Sequence, residues 1–142
     1  MNTKPLALIF STVWPEPTSS AAGVRQTQSI RYFLGQGYRV TLTSPAKLKN
    51  EGDWGKVEFP EGVELIPLPL NESNVQGQHL GAFFKTLDPS VVMFDRFILE
   101  AQFGHCVYEH CPRASVVLET VDLHFVRRAR ETIKDQYLAK DD

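Results

Sequence analysis

The chain has 142 residues, 42% of them hydrophobic, and sets 15 Lys and Arg against 17 Asp and Glu for a net charge of -2. That length suits a single domain with a real core, and the near balance of charge provides no field favouring nucleic acid or an anionic membrane. The apolar run at residues 5–10 is too short to span a bilayer and lacks the long apolar stretch and cleavage site of a signal peptide, so a cytoplasmic protein is expected, with peripheral contact at the inner membrane face left open.

Residues 6–13, LALIFSTV, form a short apolar run rich in strand formers, the pattern of a strand covered on both faces. The stretch that follows, WPEPTSSAAGVRQ at 14–26, connects it to a helix expected from Ala21 to about Gln36 on the stripe Gly23, Thr27, Ile30 and Leu34, with the glycines of GQG suited to its carboxyl cap. Residues 38–44 alternate as a second strand, and a strand, helix, strand succession is right-handed and parallel. Residues 45–62 are rich in charge, Gly and Pro and read as a surface excursion, with Trp54 and Phe59 available to fold back on the sheet.

A third strand is expected at 63–70, VELIPLPL, and its prolines, which cannot donate to a ladder, place it at an edge. A helix is expected around Val75 to Leu87, then a buried fourth strand at 88–95 ending in Asp95. From Arg96 to His110 the stripe Phe97, Ala101, Gly104 and Tyr108 has helical spacing. Residues 114–120 are the fifth strand, and a last helix runs from about Phe125 on Val126, Ala129, Ile133 and Tyr137.

This alternation implies a doubly wound, Rossmann-like α/β domain over residues 1–142, a parallel sheet of about five strands in the order 3-2-1-4-5. Ligands of such sheets bind beyond the carboxyl ends of the strands, at the switch point between the first and fourth. Three segments meet there: residues 11–25, FDRF at 94–97 and ETVDLHFVRR at 119–128.

Several chemistries are disfavoured by what these segments lack. No G-x-G-x-x-G follows the first strand and no G-x-x-x-x-G-K-[ST] occurs, so neither NAD nor ATP is indicated, and no G-x-S-x-G elbow presents a serine nucleophile. The two cysteines, Cys106 and Cys111, match no zinc or disulfide-exchange spacing. The two His-Cys pairs lie about 140° apart around a helix, so only Cys106 with His110 could share an ion, and no metal or cofactor is expected. What the first loop does offer is a run of small residues, Ser19 to Gly23, at a helix start whose free N–H groups accept an anion, with Arg25 on the first turn. The same serines also serve as an N-cap, and the alanines as close packing.

The combination of WPEPTSSAAGVRQ, FLGQGYRVTLTSP, FDRF and ETVDLHFVRRAR resembles the amino-terminal half of a two-domain GT-B glycosyltransferase of the bacterial group 1 (family 4) type. The most specific pieces are S-A-A-G-x-R after the first strand and D-L-H-x-x-R after the fifth. The resemblance implies a retaining transferase that moves a sugar from a nucleotide-sugar donor to a glycan or glycolipid acceptor, with this half on the acceptor side. It also implies a donor-binding domain or second chain beyond these residues, so the chain alone is expected to be inactive.

Carried onto this sequence, the resemblance sets Ser20, Ala21, Ala22 and Gly23 near the donor diphosphate and acceptor, with Arg25 as an anchoring charge. Asp122 and His124 face the transferred sugar as the catalytic pair, His124 as a hydrogen-bonding imidazole or a general base. Asp122 also suits the N-cap of the last helix. Asp95 and Arg96 either recognise substrate or pair with neighbouring loops, and Arg127 points to the cleft or shares a solvated face with Glu131. Trp54 and Phe59 suit either sugar stacking or cover of a sheet edge. The competing expectation is a Rossmann-like anion-binding or dimerisation module without catalysis. A methyltransferase is disfavoured by the missing glycine cluster.

Overall fold

In the computed structural model, residues 4–12, 14, 21–46, 62–68, 74–75, 77–119 and 124–138 are described. The first strand, β1 (Leu6–Phe10), is wholly buried and leads to α1 (Ala21–Gly35), which returns the chain to β2 (Arg39–Ser44). β3 (Val63–Pro67) follows, then a two-residue hairpin of β4 (Asn74–Val75) and β5 (Gln78–His79), and α2 (Leu80–Leu87). The second half runs β6 (Val91–Asp95), α3 (Phe97–His110), β7 (Ser115–Glu119) and α4 (His124–Leu138).

The sheet has the order β3-β2-β1-β6-β7, and all four pairings are parallel. This is the expected order 3-2-1-4-5, with β6 and β7 as the fourth and fifth strands. β3 lies at an edge, as its prolines require. α1 ends in a Schellman motif, in which Tyr38 N–H donates to Phe33 O and Gly37 N–H to Leu34 O while Gly37 takes a φ of +86°.

Strand alternation divides the core in two. Ala7, Ile9, Val40, Leu42 and Met93 pack toward Ile30 of α1. Leu8, Phe10, Val92 and Phe94 pack on the other face against Phe83 and Phe84 of α2 and Leu99, Phe103 and Val107 of α3.

Three expectations are corrected. The helix expected from Val75 begins only at Leu80, because Gly77 takes a φ of +76° in the β4–β5 turn and His79 caps α2, its Nδ1 accepting from Gly81 N–H at 3.3 Å. α3 forms as expected, but of the stripe Phe97, Ala101, Gly104 and Tyr108 only Gly104 is buried. Phe97, Ala101 and Tyr108 are exposed, whereas Leu99, Phe103, Gly104 and Val107 are buried. Phe97, Ile98 and Leu99 are all apolar, so two phases of the same period compete, and contact with the Phe10 face selects the one that contains Leu99 and Phe103. α4 forms, yet Ala129 and Ile133 of its predicted stripe are exposed. The excursion with Trp54 and Phe59 lies outside the described residues.

α2 and α3 meet where Gly81 faces His110, whose Nδ1 donates to Cys106 O at 2.9 Å. A Cβ at Gly81 would collide with this ring. Gly81→Ala is therefore expected to lower stability by about 1–3 kcal/mol as an overpacked contact. Adding His110→Ala should restore most of that loss in a urea-denaturation double-mutant cycle. Additive losses would show that the ring moves aside freely.

Candidate functional site

The carboxyl ends of β1, β6 and β7 and the amino-terminal half of α1 converge at the switch point. Asp95 ends β6 and is the register neighbour of Glu119 at the end of β7. It is buried, and burial raises its pKa above the ordinary carboxylate value of 3.8. Arg96 and, more weakly, Arg25 pull it down, and Glu119 pushes it up, but neither arginine offsets the desolvation.

Arg96 has an uncommon backbone. Its φ of +78° and ψ of 150° fall in a region almost reserved for glycine, which costs on the order of 1–3 kcal/mol where another residue holds it. Its N–H donates to Glu119 O at 3.2 Å, which ties the two strand ends together across the switch point. Its side-chain Nε is buried without a hydrogen-bond partner.

Gln26 is a further buried polar residue, in the second turn of α1. It lies one turn before Ile30 on the α1 face that meets the sheet, is only 4% exposed, and leaves its amide Nε2 without a partner. An unpaired buried amide costs roughly 1–3 kcal/mol. Two unpaired donors and an only partly compensated carboxyl are thus buried among the described residues. Trp14, beyond the end of β1, donates its indole Nε1–H to Ala46 O at 3.1 Å after β2. A groove of about 870 Å3 runs along α1 from Arg25 and Glu119 past Tyr32 to Gln36, floored by Val91, Met93 and Val117.

Of the sequence-predicted residues, the structure brings together Arg25, Asp95 and Arg96. Ala21, Ala22 and Gly23 form the first turn of α1, and His124 and Arg127 the beginning of α4, all as backbone. Ser20 and Asp122 lie outside the described residues. Gln26 escaped sequence reading because a glutamine between Arg25 and Thr27 carries no motif, and only the position of Ile30 four residues later marks its face as the inner one. Glu119 was visible only as the polar end of a strand.

The environment of both cysteines disfavours the thiolate. Cys111 donates to Phe84 O at 3.4 Å and its thiol is pushed up to about 11, chiefly by burial and then by Asp88 and Cys106. Burial, and then Glu109, also raises Cys106. Cys106 Sγ lies 3.8 Å from His110 Nδ1, the nitrogen already committed to the Cys106 carbonyl, and no three metal-ligating side chains gather among the described residues. Among those residues, no helix is long and apolar enough to cross a membrane. Comparisons with known protein families, with curated proteins and with solved structures find no match for the chain.

Proposed function

We propose that the chain is the acceptor-side half of a glycosyltransferase, seating a glycan or glycolipid acceptor beyond β1, β6 and β7 while a second domain or chain presents a nucleotide sugar. One observation carries the reading: Gln26 Nε2 on α1 and Arg96 Nε at the end of β6 are buried donors without partners, and Asp95, next to Arg96, is a buried carboxyl. A sugar hydroxyl both donates and accepts, so one polyol ring satisfies both kinds of group at once. A lone phosphate accepts from the donors but is repelled by Asp95 and Glu119. The anionic part of a donor is better served by Arg25 and the amino-terminal end of α1.

In this reading, Asp95 accepts from an acceptor hydroxyl and orients it, while Arg96 and Gln26 hold adjacent ring oxygens. Asp122 and His124, which follow β7 in the sequence, are taken as the catalytic pair, with His124 serving as the imidazole facing the transferred sugar. A glycolipid acceptor would bring the site to the cytoplasmic surface of a membrane.

The reading is tested by amide chemical-shift titration of the chain with simple hexoses, a disaccharide, UDP-glucose and GDP-mannose. Saturable shifts centred on Gln26, Asp95, Arg96 and Glu119 with at least one saccharide are expected, without nucleotide release by the chain alone. Absence of shifts with every ligand, or shifts confined elsewhere, overturns it.

A further inference from the structure

Two exposed apolar stripes sit on elements that adjoin β7 in the chain. The first is on α3. His110 of this helix meets Gly81 of α2, and Phe84 of α2 in turn meets Phe10 of β1, so α2 lies toward the centre of the sheet. Phe97, Ala101, Gly104 and Tyr108 fall roughly on the opposite side of α3 from His110, on the flank turned toward the β7 edge. Phe97 is 49% and Tyr108 48% exposed, and Ala101 is exposed as well. Gly104 is buried between Glu100 and Tyr108, whose hydroxyl donates to Glu100 Oε1 at 2.9 Å. On β7, Leu118 shares the face of Val116, which packs on the Phe10 core, yet Leu118 is exposed.

The second stripe is on α4. Ala129 and Ile133 share one side of that helix, and Arg130, Glu131, Lys134 and Asp135 fall on the other. All of residues 129–136 are exposed, and Ile133 is 54% exposed. A helix of 15 residues is marginal in water by itself, and packing of its apolar face is what ordinarily holds it. The helix thus requires a partner, and the flank of α3 a cover.

We propose that the two stripes close on one another, α4 docking along the flank of α3 in the corner that Leu118 floors. Connectivity selects this occupant over a second copy. α4 begins at His124, soon after β7 ends at Glu119, and a tethered segment is present at an effective concentration that a free chain does not reach. A helix that follows a strand of a parallel sheet returns alongside it, as α3 does after β6, so the two helices run parallel. Both rise by about 1.5 Å per residue, which sets Ala129 level with Ala101 and Ile133 between Ala101 and Tyr108, over Gly104. The small residues at 101, 104 and 129 let the helices approach closely there. Docking also carries His124 and Arg127 to the carboxyl end of β7, and any catalytic role of that placement rests on the acceptor-side reading.

Hydrogen exchange on the full chain should show α4 amides protected by roughly tenfold or more over an unstructured chain. Ile133→Glu, which keeps a good helix former on the stripe, should remove most of that protection and leave β1 unchanged. In a Cys106→Ser background, Ala101→Cys with Ala129→Cys should crosslink within one chain in oxidised glutathione. Ala101→Cys with Glu131→Cys, on the polar side of α4, should not. Unprotected α4 amides, protection that survives Ile133→Glu, no crosslink at the paired alanines, equal crosslinking at Glu131, or a crosslink between two chains each overturns the proposal. The saccharide titration reads other amides, so the two readings fail independently.

Discussion

Phe10→Ala is expected to lower the unfolding free energy by about 3–5 kcal/mol, the usual loss for an aromatic ring removed from a packed core. Phe10 is 1% exposed at the end of the central strand, and three rings from three other elements close on it. Phe94 of β6 stacks at a centroid distance of 4.8 Å, Phe103 of α3 stacks at 5.3 Å, and Phe84 of α2 meets it edge-on at 5.6 Å. Removing the hub takes away contacts to all of them, and the strand and two helices that carry them cannot collapse on the void without leaving the sheet. Domains of this size are stable by about 5–15 kcal/mol, so the variant should lose a large part of its margin. Urea denaturation checks this through a lower midpoint at an unchanged slope. Tyr32→Ala, at an exposed position of α1, should stay within about 0.5 kcal/mol of wild type. A loss below about 1 kcal/mol at Phe10 would mean that the aromatic cluster repacks.

Asp95→Asn is expected to act in opposite directions on stability and on ligand binding. Burial raises the carboxyl pKa in the folded chain above 3.8, so the native state holds its proton more tightly than the unfolded state. Below 3.8 both states are protonated and the group contributes no difference. As pH rises from there through the folded pKa, the native state must ionise a desolvated carboxyl, and stability falls until the group is fully charged. The amide variant escapes this cost. It should therefore melt above wild type at neutral pH, with the gap narrowing as pH falls toward 3.8. Saccharide-induced shifts should weaken by roughly tenfold or more, since a hydrogen bond to a charged group contributes about 1.5–3 kcal/mol. Thermal melts across this pH range and the shift titration supply the two readouts. A variant less stable than wild type at neutral pH would show that Arg96 and Arg25 more than compensate the burial.

The strained Arg96 backbone, the unpaired Gln26 amide and the buried, only partly compensated Asp95 carboxyl are three separate costs. Each weakens the free chain, and a polar ligand would relieve the last two directly. Such costs are commonest at functional sites, which is the ground of the acceptor-site proposal.

The sequence by itself determined the strand order, the edge position of β3 and the cap of α1. These depend on local chemistry: a buried parallel strand must be apolar throughout, proline cannot donate to a ladder, and a left-handed cap calls for glycine at Gly37. The Arg25, Asp95 and Arg96 group was legible for a related reason, since topology carries every strand's carboxyl end to one side. Only the tertiary structure decided which face of α3 is buried, because Phe97 and Leu99 satisfy the helical period equally and the Phe10 cluster chooses between them. It alone decided that Gln26 faces inward, since no motif marks that glutamine. Periodicity records that an element has an apolar face. Burial is a property of what lies opposite, and that is set by the packing of distant segments.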